Sequence, residues 1–146
     1  MQCGAVPPRC LISSPLRKLG RGTAVISIVD DDPCVREAMF GLVRSLGFDA
    51  IAFASAEDFL QSETADETSC LITDVQMPGL SGIELQSELA SRRPQMPIIF
   101  VTASPEPSIE ARVRSAGAVG FLNKPFNDEA LIHCLDQALG ASGDGR

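Results

Sequence analysis

Carboxylates that directly follow short apolar runs are the residues best suited to chemistry in this sequence. Asp30, Asp31 and Asp32 come after VISIV, and Asp74 comes after CLIT. Two like charges about 4 Å apart repel by about 4 kcal/mol at an effective dielectric of about 20, so clustered carboxylates need a cation or take up protons. The pattern therefore predicts a positive group beside these aspartates.

A hydroxyl and an ammonium follow two further apolar runs. Thr102 ends IIFVT, and Lys124, the one lysine beyond residue 22, follows GFLN. Together with the carboxylates they predict a divalent cation with oxygen ligands beside an anion. Mg²⁺ (or Mn²⁺) suits such a site, because Mg²⁺ binds through one or two carboxylates, keeps several waters and shares its site with phosphoryl groups. Asp74 could then ligate the ion and also act as an oxygen nucleophile.

Short β-branched runs alternate with helical patterns from Ala24 onward. Strands are predicted at Val25–Val29, 50–53, Cys70–Asp74, Ile98–Thr102 and Gly120–Asn123. Helices are predicted at 35–46, Ala56–Gln61, 83–92, 109–116 and 131–139. Five βα units in succession predict an α/β fold, in which a five-stranded parallel sheet has helices on both faces.

The carboxyl ends of parallel strands meet along one edge of the sheet, which is where open α/β sheets bind ligands. The chemical groups at the four strand ends therefore fall at that edge. Asp32 has a separate role, because it precedes Pro33 and proline is favoured at the first position of a helix. We predict Asp32 as the N-cap of the first helix, which leaves Asp30 and Asp31 to hold the metal ion.

Length, charge and cysteine content exclude several classes of protein. The 146 residues suit one domain, and no apolar run reaches the roughly 18 residues of a membrane span. After the first 22 residues the chain has 8 basic and 19 acidic residues, a formal charge of −11, so we expect no DNA binding by this chain alone. Five cysteines without a CxxC pair indicate reduced thiols, and we expect a cytoplasmic protein without membrane contact.

Residues 1–23 precede the predicted domain and contain four basic residues and no acid. They have no sustained periodicity, and they lack the apolar stretch of about 7 to 15 residues that a signal peptide needs. We interpret them as a disordered leader or as the result of a start codon placed too far upstream. A basic arm that binds a membrane or a partner is the alternative.

In the order and spacing of four stretches, the chain resembles the receiver domain of bacterial response regulators, which has the CheY-like fold. The four stretches are VDDDP, TDVQMPGLSGIEL, VTA and AGAVGFLNKPF. The similarity covers residues 24–139, and AGAVGFLNKPF and SAEDFL are most similar to FixJ-type receivers. The resemblance implies a three-layer flavodoxin-like fold with strand order 2-1-3-4-5. Residues 140–146 are then expected to form a flexible tail.

The resemblance also implies how phosphorylation would occur. Asp74 would accept a phosphoryl group from a phosphohistidine on a sensor histidine kinase or a phosphotransfer protein. Asp31 and Asp74 would ligate Mg²⁺ through their carboxylates, Gln76 through its backbone carbonyl, and Asp30 mainly through water. A receiver of this kind is not an enzyme, but it assists its own phosphorylation and dephosphorylation.

By the same resemblance, Thr102 and Lys124 would each contact one phosphoryl oxygen, and the peptide between Lys124 and Pro125 would be cis. Thr102 and Phe121 would be the switch residues, although periodicity alone favours Phe121 as an ordinary half-buried aromatic. Phosphorylation would act on partners through the face formed by the fourth helix, the fifth strand and the last helix. That face could bind a protein partner or a second copy of the chain.

Three functions fit these features. The first is a stand-alone receiver that changes its protein associations or passes phosphate along a relay. The second is the receiver part of a FixJ-like transcription regulator whose helix-turn-helix domain is missing from this chain. The third, a phosphatase or hydrolase with Asp74 as nucleophile, is disfavoured because Gln76 occupies the second acidic position of the DxD motif that such enzymes use.

Overall fold

The computed structural model describes residues 24–92 and 95–143. Its five strands are β1 (Val25–Val29), β2 (Asp49–Phe53), β3 (Cys70–Asp74), β4 (Ile98–Thr102) and β5 (Gly120–Asn123). The α-helices of these residues are α1 (Pro33–Ser45), α2 (Ala56–Gln61), α3 (Gly82–Arg92), α4 (Pro107–Ser115) and α5 (Asp128–Gly143). The predicted leader, residues 1–23, lies outside the described residues, as does the predicted tail beyond Gly143.

All five strands form one parallel sheet in the order β2-β1-β3-β4-β5. This confirms the predicted flavodoxin-like topology. The strand order reverses between β1 and β3, because the chain first adds β2 on one side of β1 and then continues on the other. A crevice at the carboxyl ends of β1 and β3 follows from this reversal.

Each face of the sheet has its own apolar core. Successive strand residues point to opposite faces, so Leu71 and Phe100 pack on one side while Ile72 and Ile99 pack on the other. The first core is covered by α2, α3 and α4, and the second by α1 and α5. Both β3 and β4 are buried along their whole length, as expected for central strands of a sheet covered on both faces.

The first helix begins as the sequence predicts. The Asp32 carboxylate accepts a hydrogen bond from the backbone N–H of Cys34 at 2.9 Å, and Pro33 takes the first helical position. The side chain satisfies a donor that has no partner within the helix. The predicted N-cap is confirmed, and α1 therefore starts immediately beside the acidic end of β1.

The observed element boundaries differ slightly from the predicted ones. β2 begins at Asp49 and α3 at Gly82, each one residue before the prediction, which is within the usual uncertainty of element ends. The predictions for the last two helices were less accurate, because α4 begins at Pro107, two residues early, and α5 extends from Asp128 to Gly143, beyond the predicted 131–139 at both ends. The 3₁₀ helix Glu63–Glu67 was not predicted. Its ETADE sequence has too few apolar residues to give a helical period, and it is followed by Thr68, whose buried hydroxyl lies 2.7 Å from the Ser27 hydroxyl of β1.

Helix α4 is attached to the rest of the fold near its carboxyl end. Val113 is its one buried residue. The side chain of Gln86 on α3, itself buried, donates a hydrogen bond to the Val113 carbonyl at 3.0 Å, and the Ala118 N–H donates to the same oxygen at 2.9 Å. These bonds satisfy a carbonyl of the last helical turn. Ile109, near the amino end of α4, is partly buried and packs against the first core.

No helix in residues 24–92 and 95–143 combines the length and the apolar character needed to cross a bilayer.

Cysteine reactivity tests the buried position of β3. Burial raises the pKa of the Cys70 thiol to about 12, whereas Cys34 is exposed at the start of α1. Only the thiolate reacts with alkylating agents, and a pKa of about 12 leaves roughly one Cys70 in ten thousand ionised at pH 8. With iodoacetamide at pH 8, peptide mass spectrometry should find Cys34 modified and Cys70 unmodified. In urea both should react, and equal reactivity in the native protein would contradict the buried strand.

Candidate functional site

The predicted site residues converge at the carboxyl edge of the sheet. Asp30 directly follows β1, Asp74 ends β3, Thr102 ends β4 and Lys124 follows β5. These four strands are neighbours in the sheet order, and β1 and β3 are adjacent. Side chains that are as many as 94 positions apart in the sequence therefore meet because of strand pairing.

The Lys124 ammonium lies between two carboxylates. Its Nζ is 2.9 Å from Asp30 Oδ2 and 3.1 Å from Asp74 Oδ2, where it donates a hydrogen bond. The Asp30 side chain is fully buried, and the side chains of Lys124 and Asp74 are 14% and 10% exposed. The peptide between Lys124 and Pro125 is cis, as the family resemblance implied. Lys124 thus supplies one of the positive charges that the clustered aspartates require.

The ionisation of these groups reflects both burial and pairing. Burial raises the pKa of Asp74, and the nearby Lys124 ammonium offsets only part of that rise. Burial acts on Lys124 in the opposite direction and lowers its pKa, but the contacts with Asp30 and Asp74 outweigh burial and raise it overall. Lys124 therefore stays protonated at neutral pH and keeps its positive charge in the crevice.

A single ammonium does not balance the negative charge here. Asp30, Asp31 and Asp74 each offer a carboxylate oxygen, and these oxygens lie within 4.8 Å of one another. Asp31 is exposed, which leaves one side of the cluster open to solvent. Asp30 Oδ2 is buried and, although it is at ion-pair distance from Lys124, it has no hydrogen bond of acceptable geometry. Hard oxygen donors with spare capacity fit a divalent cation.

Backbone contacts fix the orientation of Asp30. Its Oδ1 accepts a hydrogen bond from the Asp32 N–H at 2.9 Å, and its N–H donates to the Phe53 carbonyl at 3.2 Å. The Arg36 guanidinium on α1 donates to the Asp30 carbonyl at 2.8 Å. The acidic end of β1 is therefore held by β2 on one side and by α1 on the other. This fixes the direction of the buried carboxylate before any ligand binds.

The loop after Asp74 folds back onto the strand end. The Gln76 N–H donates to Asp74 Oδ1 at 3.2 Å, and the Gly82 N–H donates to the Val75 carbonyl at 2.9 Å. Gly82 has no room for a side chain, because a Cβ there would overlap the carbonyl oxygen of Asp74. The start of α3 is thus packed directly against the backbone of Asp74. Gln76 is exposed, and ligation through its carbonyl stays a prediction.

Thr102 and Phe121 lie on the side of the site toward β4 and β5. Thr102 is buried, its hydroxyl accepts a hydrogen bond from the Ser104 N–H at 3.1 Å, and its carbonyl accepts one from the Lys124 N–H at 2.7 Å. Phe121 is the register partner of Phe100 and is half-buried against the core under α4. The backbone hydrogen bond between Thr102 and Lys124 links the two residues that were predicted to contact an anion.

An apolar cavity of about 390 Å³ opens beside Lys124. It lies between α1 and the segment after β5, and its lining includes Met39, Leu42, Pro125 and Phe126. The charged crevice therefore has an apolar surface beside it on the α1 side.

Sequence reasoning missed three residues that position the site: Arg36, Gly82 and Glu57, which contacts the loop after Asp74. One signal was present in the sequence, because Ser81 and Glu84 form a capping box in which the Ser81 N–H donates to Glu84 Oε1 at 2.9 Å. That pattern places Gly82 in the first turn of α3. No local pattern indicates the contacts of Arg36 and Glu57, since both depend on how separate elements pack.

The fold and the site together define a class of protein. A sequence model of the family described as response regulator receiver domain matches residues 26–136, so the chain belongs to this family. Receiver domains are the signalling modules of two-component systems, and the predicted class is confirmed.

Three individual proteins are each similar to most of this chain. Nodulation protein W of Bradyrhizobium diazoefficiens is 44% identical over 112 residues, which are 77% of this chain and 49% of that protein. Response regulator protein TodT of Pseudomonas putida is 40% identical over 124 residues, 85% of this chain and 55% of that protein. Transcriptional regulatory protein FixJ of Azorhizobium caulinodans is 36% identical over 119 residues, 82% of this chain and 56% of that protein. The chain spans about half the length of these relatives.

Solved structures give the same family. Response regulator StyR superimposes with a TM-score of 0.77 at 38% identity, covering 86% of this chain and 63% of that one. The structure named FixJ-N has a TM-score of 0.70 at 32% identity, covering 79% of this chain and 92% of that one. The predicted similarity to FixJ-type receivers is confirmed.

Gly82 offers a test of the close contact between α3 and Asp74. Gly82→Ala should lower the free energy of unfolding by about 3 kcal/mol, because the added Cβ overlaps backbone atoms that cannot move aside easily. Gly41→Ala is the matched control: Gly41 lies within α1 with nothing within 4 Å of an added Cβ, so that change should stabilise by about 0.5 to 1 kcal/mol. Urea unfolding measures both, and a Gly82→Ala protein as stable as wild type would contradict the contact.

Proposed function

We propose that Asp74 is a phosphoacceptor and that this receiver takes its phosphoryl group from a sensor histidine kinase or a phosphotransfer protein. The observation that carries this proposal is the position of the Asp74 carboxylate, which has Lys124 Nζ at 3.1 Å and two further carboxylates within 4.8 Å. A nucleophilic oxygen, a fixed cation and a place for a second cation are what in-line phosphoryl transfer needs. Since such kinases draw on ATP, we place the reaction in the cytoplasm.

Asp30, Asp31 and Asp74 would hold Mg²⁺ (or Mn²⁺), with the Gln76 carbonyl as a further ligand. The support is the chemistry of the donor set, which consists of hard oxygens, together with the spare acceptor capacity of buried Asp30 Oδ2. When bound, the ion neutralises negative charge on the transferring phosphoryl group. Gln76 is exposed, so solvent can reach this part of the loop.

The chain's own residues orient and stabilise the transfer. A carboxylate oxygen of Asp74 attacks phosphorus while the bond from phosphorus to the donor nitrogen breaks, and the imidazole leaves with that electron pair and takes a proton from solvent. Lys124 then contacts one phosphoryl oxygen and the Thr102 hydroxyl donates to another, so that both neutralise charge as it develops. Lys124 needs little movement for this, because its ammonium already contacts Asp74.

Intact-mass measurement tests the phosphoacceptor. With Mg²⁺ and acetyl phosphate the wild type should gain the mass of one phosphoryl group, and Asp74→Asn should gain none because the amide is not a nucleophile. Asp136→Asn, on the exposed side of α5, makes the same chemical change away from the site and should behave as wild type. Uptake by Asp74→Asn equal to that of the wild type would show that another residue is the acceptor.

Phosphorylation would act through the face formed by α4, β5 and α5. A phosphoryl group adds about two negative charges and strong acceptors, which favours inward movement of Thr102 and of the segments that follow β4 and β5. Phe121 would turn into the space this leaves. Val113 is the one buried residue of α4, and a helix with little buried surface can move at low free-energy cost. Thr102 and Phe121 would thus form the switch.

Protein association at this face gives the second test of function. Arg114 is paired with Glu110 at 2.9 Å within α4, whereas Arg112 has no ion-pair partner in the described part of the chain. Beryllofluoride with Mg²⁺ should increase the association of this chain with a second copy or with a protein partner, as measured by light scattering. Higher salt should weaken that association. Arg112→Ala should reduce that association by about threefold or more and Arg114→Ala by less. Association that does not depend on beryllofluoride would contradict the switch.

The alternative is that this receiver belongs to a FixJ-like transcription regulator. It is favoured by the relatives, because one is named as a transcriptional regulatory protein and the chain spans about half of its length. The strongly acidic composition of the described domain instead favours association with proteins, since DNA affinity comes mainly from basic residues that neutralise phosphates. Sequence-specific DNA binding by this chain in a gel shift assay would overturn the stand-alone role.

A further inference from the structure

Glu57 connects helix α2 to the loop that follows Asp74. Its Oε2 accepts a hydrogen bond from the Leu80 N–H at 3.0 Å, across 23 positions of the sequence. Glu57 lies in the first turn of α2, and Leu80 lies near the tip of the loop between β3 and α3. A carboxylate that accepts from a backbone N–H forms a charge-assisted hydrogen bond, which is stronger than a neutral one. The loop tip is therefore held by a side chain from another element.

Gly79 makes room for this contact. Its φ of +76° lies in the left-handed region, and a Cβ at Gly79 would lie 2.7 Å from Glu57 Oε2. Any other residue would thus displace the carboxylate from the Leu80 N–H as well as strain the backbone. The glycine and the glutamate fit each other, and together they set the course of the chain at the loop tip.

The rest of the loop is fixed independently at both ends. The Gly82 N–H bonds to the Val75 carbonyl, and the Gln76 N–H bonds to the Asp74 carboxylate. Between Gln76 and Leu80 the chain has little freedom, since Met77 is buried in the core and Pro78 has a fixed φ. A displacement of Leu80 is therefore transmitted back toward Gln76. The Leu80 side chain packs against the first core, and Glu57 adds a hydrogen bond to the backbone at the same residue.

We propose that Glu57 is a positioning residue for the metal site, because it holds the loop tip so that the Gln76 carbonyl and the Asp74 carboxylate are preorganised for Mg²⁺. The proposal rests on the proposed function, since it assumes that these two residues ligate the ion. Glu57 itself does not touch the ion. It restricts the loop before the ion binds, so that less conformational entropy is lost on binding. Residues that orient metal ligands affect affinity in this way.

The experiment compares the full chain with Glu57→Ala and Glu57→Gln. Chemical-shift titration gives the dissociation constant for Mg²⁺, and hydrogen exchange of the Leu80 amide reports on the contact in metal-free protein. Glu57→Ala should weaken Mg²⁺ binding by about threefold to tenfold and speed exchange at Leu80. Glu57→Gln keeps a neutral hydrogen-bond acceptor, so it should retain part of the Mg²⁺ affinity and part of the slow exchange at Leu80. If the role of Glu57 were purely electrostatic, Glu57→Gln would lose as much Mg²⁺ affinity as Glu57→Ala.

Asp58→Ala is the matched control. Asp58 is an exposed acid in the same first turn of α2, so its removal takes away the same charge at the same helix end without removing the contact to Leu80. It should leave both the Mg²⁺ affinity and the Leu80 exchange rate unchanged. Equal weakening by Asp58→Ala and Glu57→Ala would overturn positioning in favour of a general charge effect, and faster Leu80 exchange with unchanged Mg²⁺ affinity would overturn it as well.

Phosphorylation separates this proposal from the function on which it rests. At saturating Mg²⁺, Glu57→Ala should take up a phosphoryl group from acetyl phosphate at the wild-type rate, and it should be slower only at low Mg²⁺. A loss that persists at saturation would show that Glu57 acts on the transfer and not on the metal ligands. Failure of the wild type to bind Mg²⁺ would overturn the proposed function itself, while the Leu80 exchange rates would still show whether the loop is held.

Discussion

The contact of one ammonium with two buried carboxylates is the interaction on which the functional edge of this domain depends. Lys124 lies 2.9 Å from Asp30 and 3.1 Å from Asp74, and it arrives from the far side of the sheet, beyond β4. An unpaired charge in a buried position is strongly unfavourable, and pairing removes much of that penalty. Strand pairing brings the strand ends together, and the contact with Lys124 lowers the free-energy cost of burying the two carboxylates there.

The same arrangement leaves the site incompletely neutralised. Three carboxylates face one ammonium, and burial keeps the pKa of Asp74 above its usual range in spite of Lys124. A second cation bound by these carboxylates relieves this imbalance. The described domain thus carries an excess of negative charge that is confined to one edge of a sheet with an apolar core on each face.

The segments that follow Asp74 and Thr102 differ in how they are held. The segment after Asp74 is held by Glu57, by the buried Met77 and by the glycine that packs on its backbone, so the acceptor side of the crevice is fixed. The segment after Thr102 is different, because α4 has one buried residue and one polar contact from α3 near its far end. Elements with few buried contacts are those that move at low free-energy cost.

Much of this structure follows from the sequence alone. The alternation of apolar strand runs and helical stripes determined the α/β class, and Asp32 before Pro33 determined the start of α1, because both signals arise within a few neighbouring residues. The ends of the strands also placed the charged groups at one edge, since parallel strands share a direction. The start of β2 was predicted to within one residue, but the start of α4 was missed by two residues and the end of α5 by four, and the 3₁₀ helix, which has no period, was not predicted.

Only the tertiary structure decided which of these groups touch. Strand order brings Lys124 to both Asp30 and Asp74, and helix packing brings Arg36 to the Asp30 carbonyl and Glu57 to the loop tip. Sequence spacing carries no information on such contacts, because each joins elements that are separated along the chain. The physical reason is that local propensity acts over a few residues, whereas the positions of ion pairs and loop contacts are set by the close packing of both cores across the whole sheet.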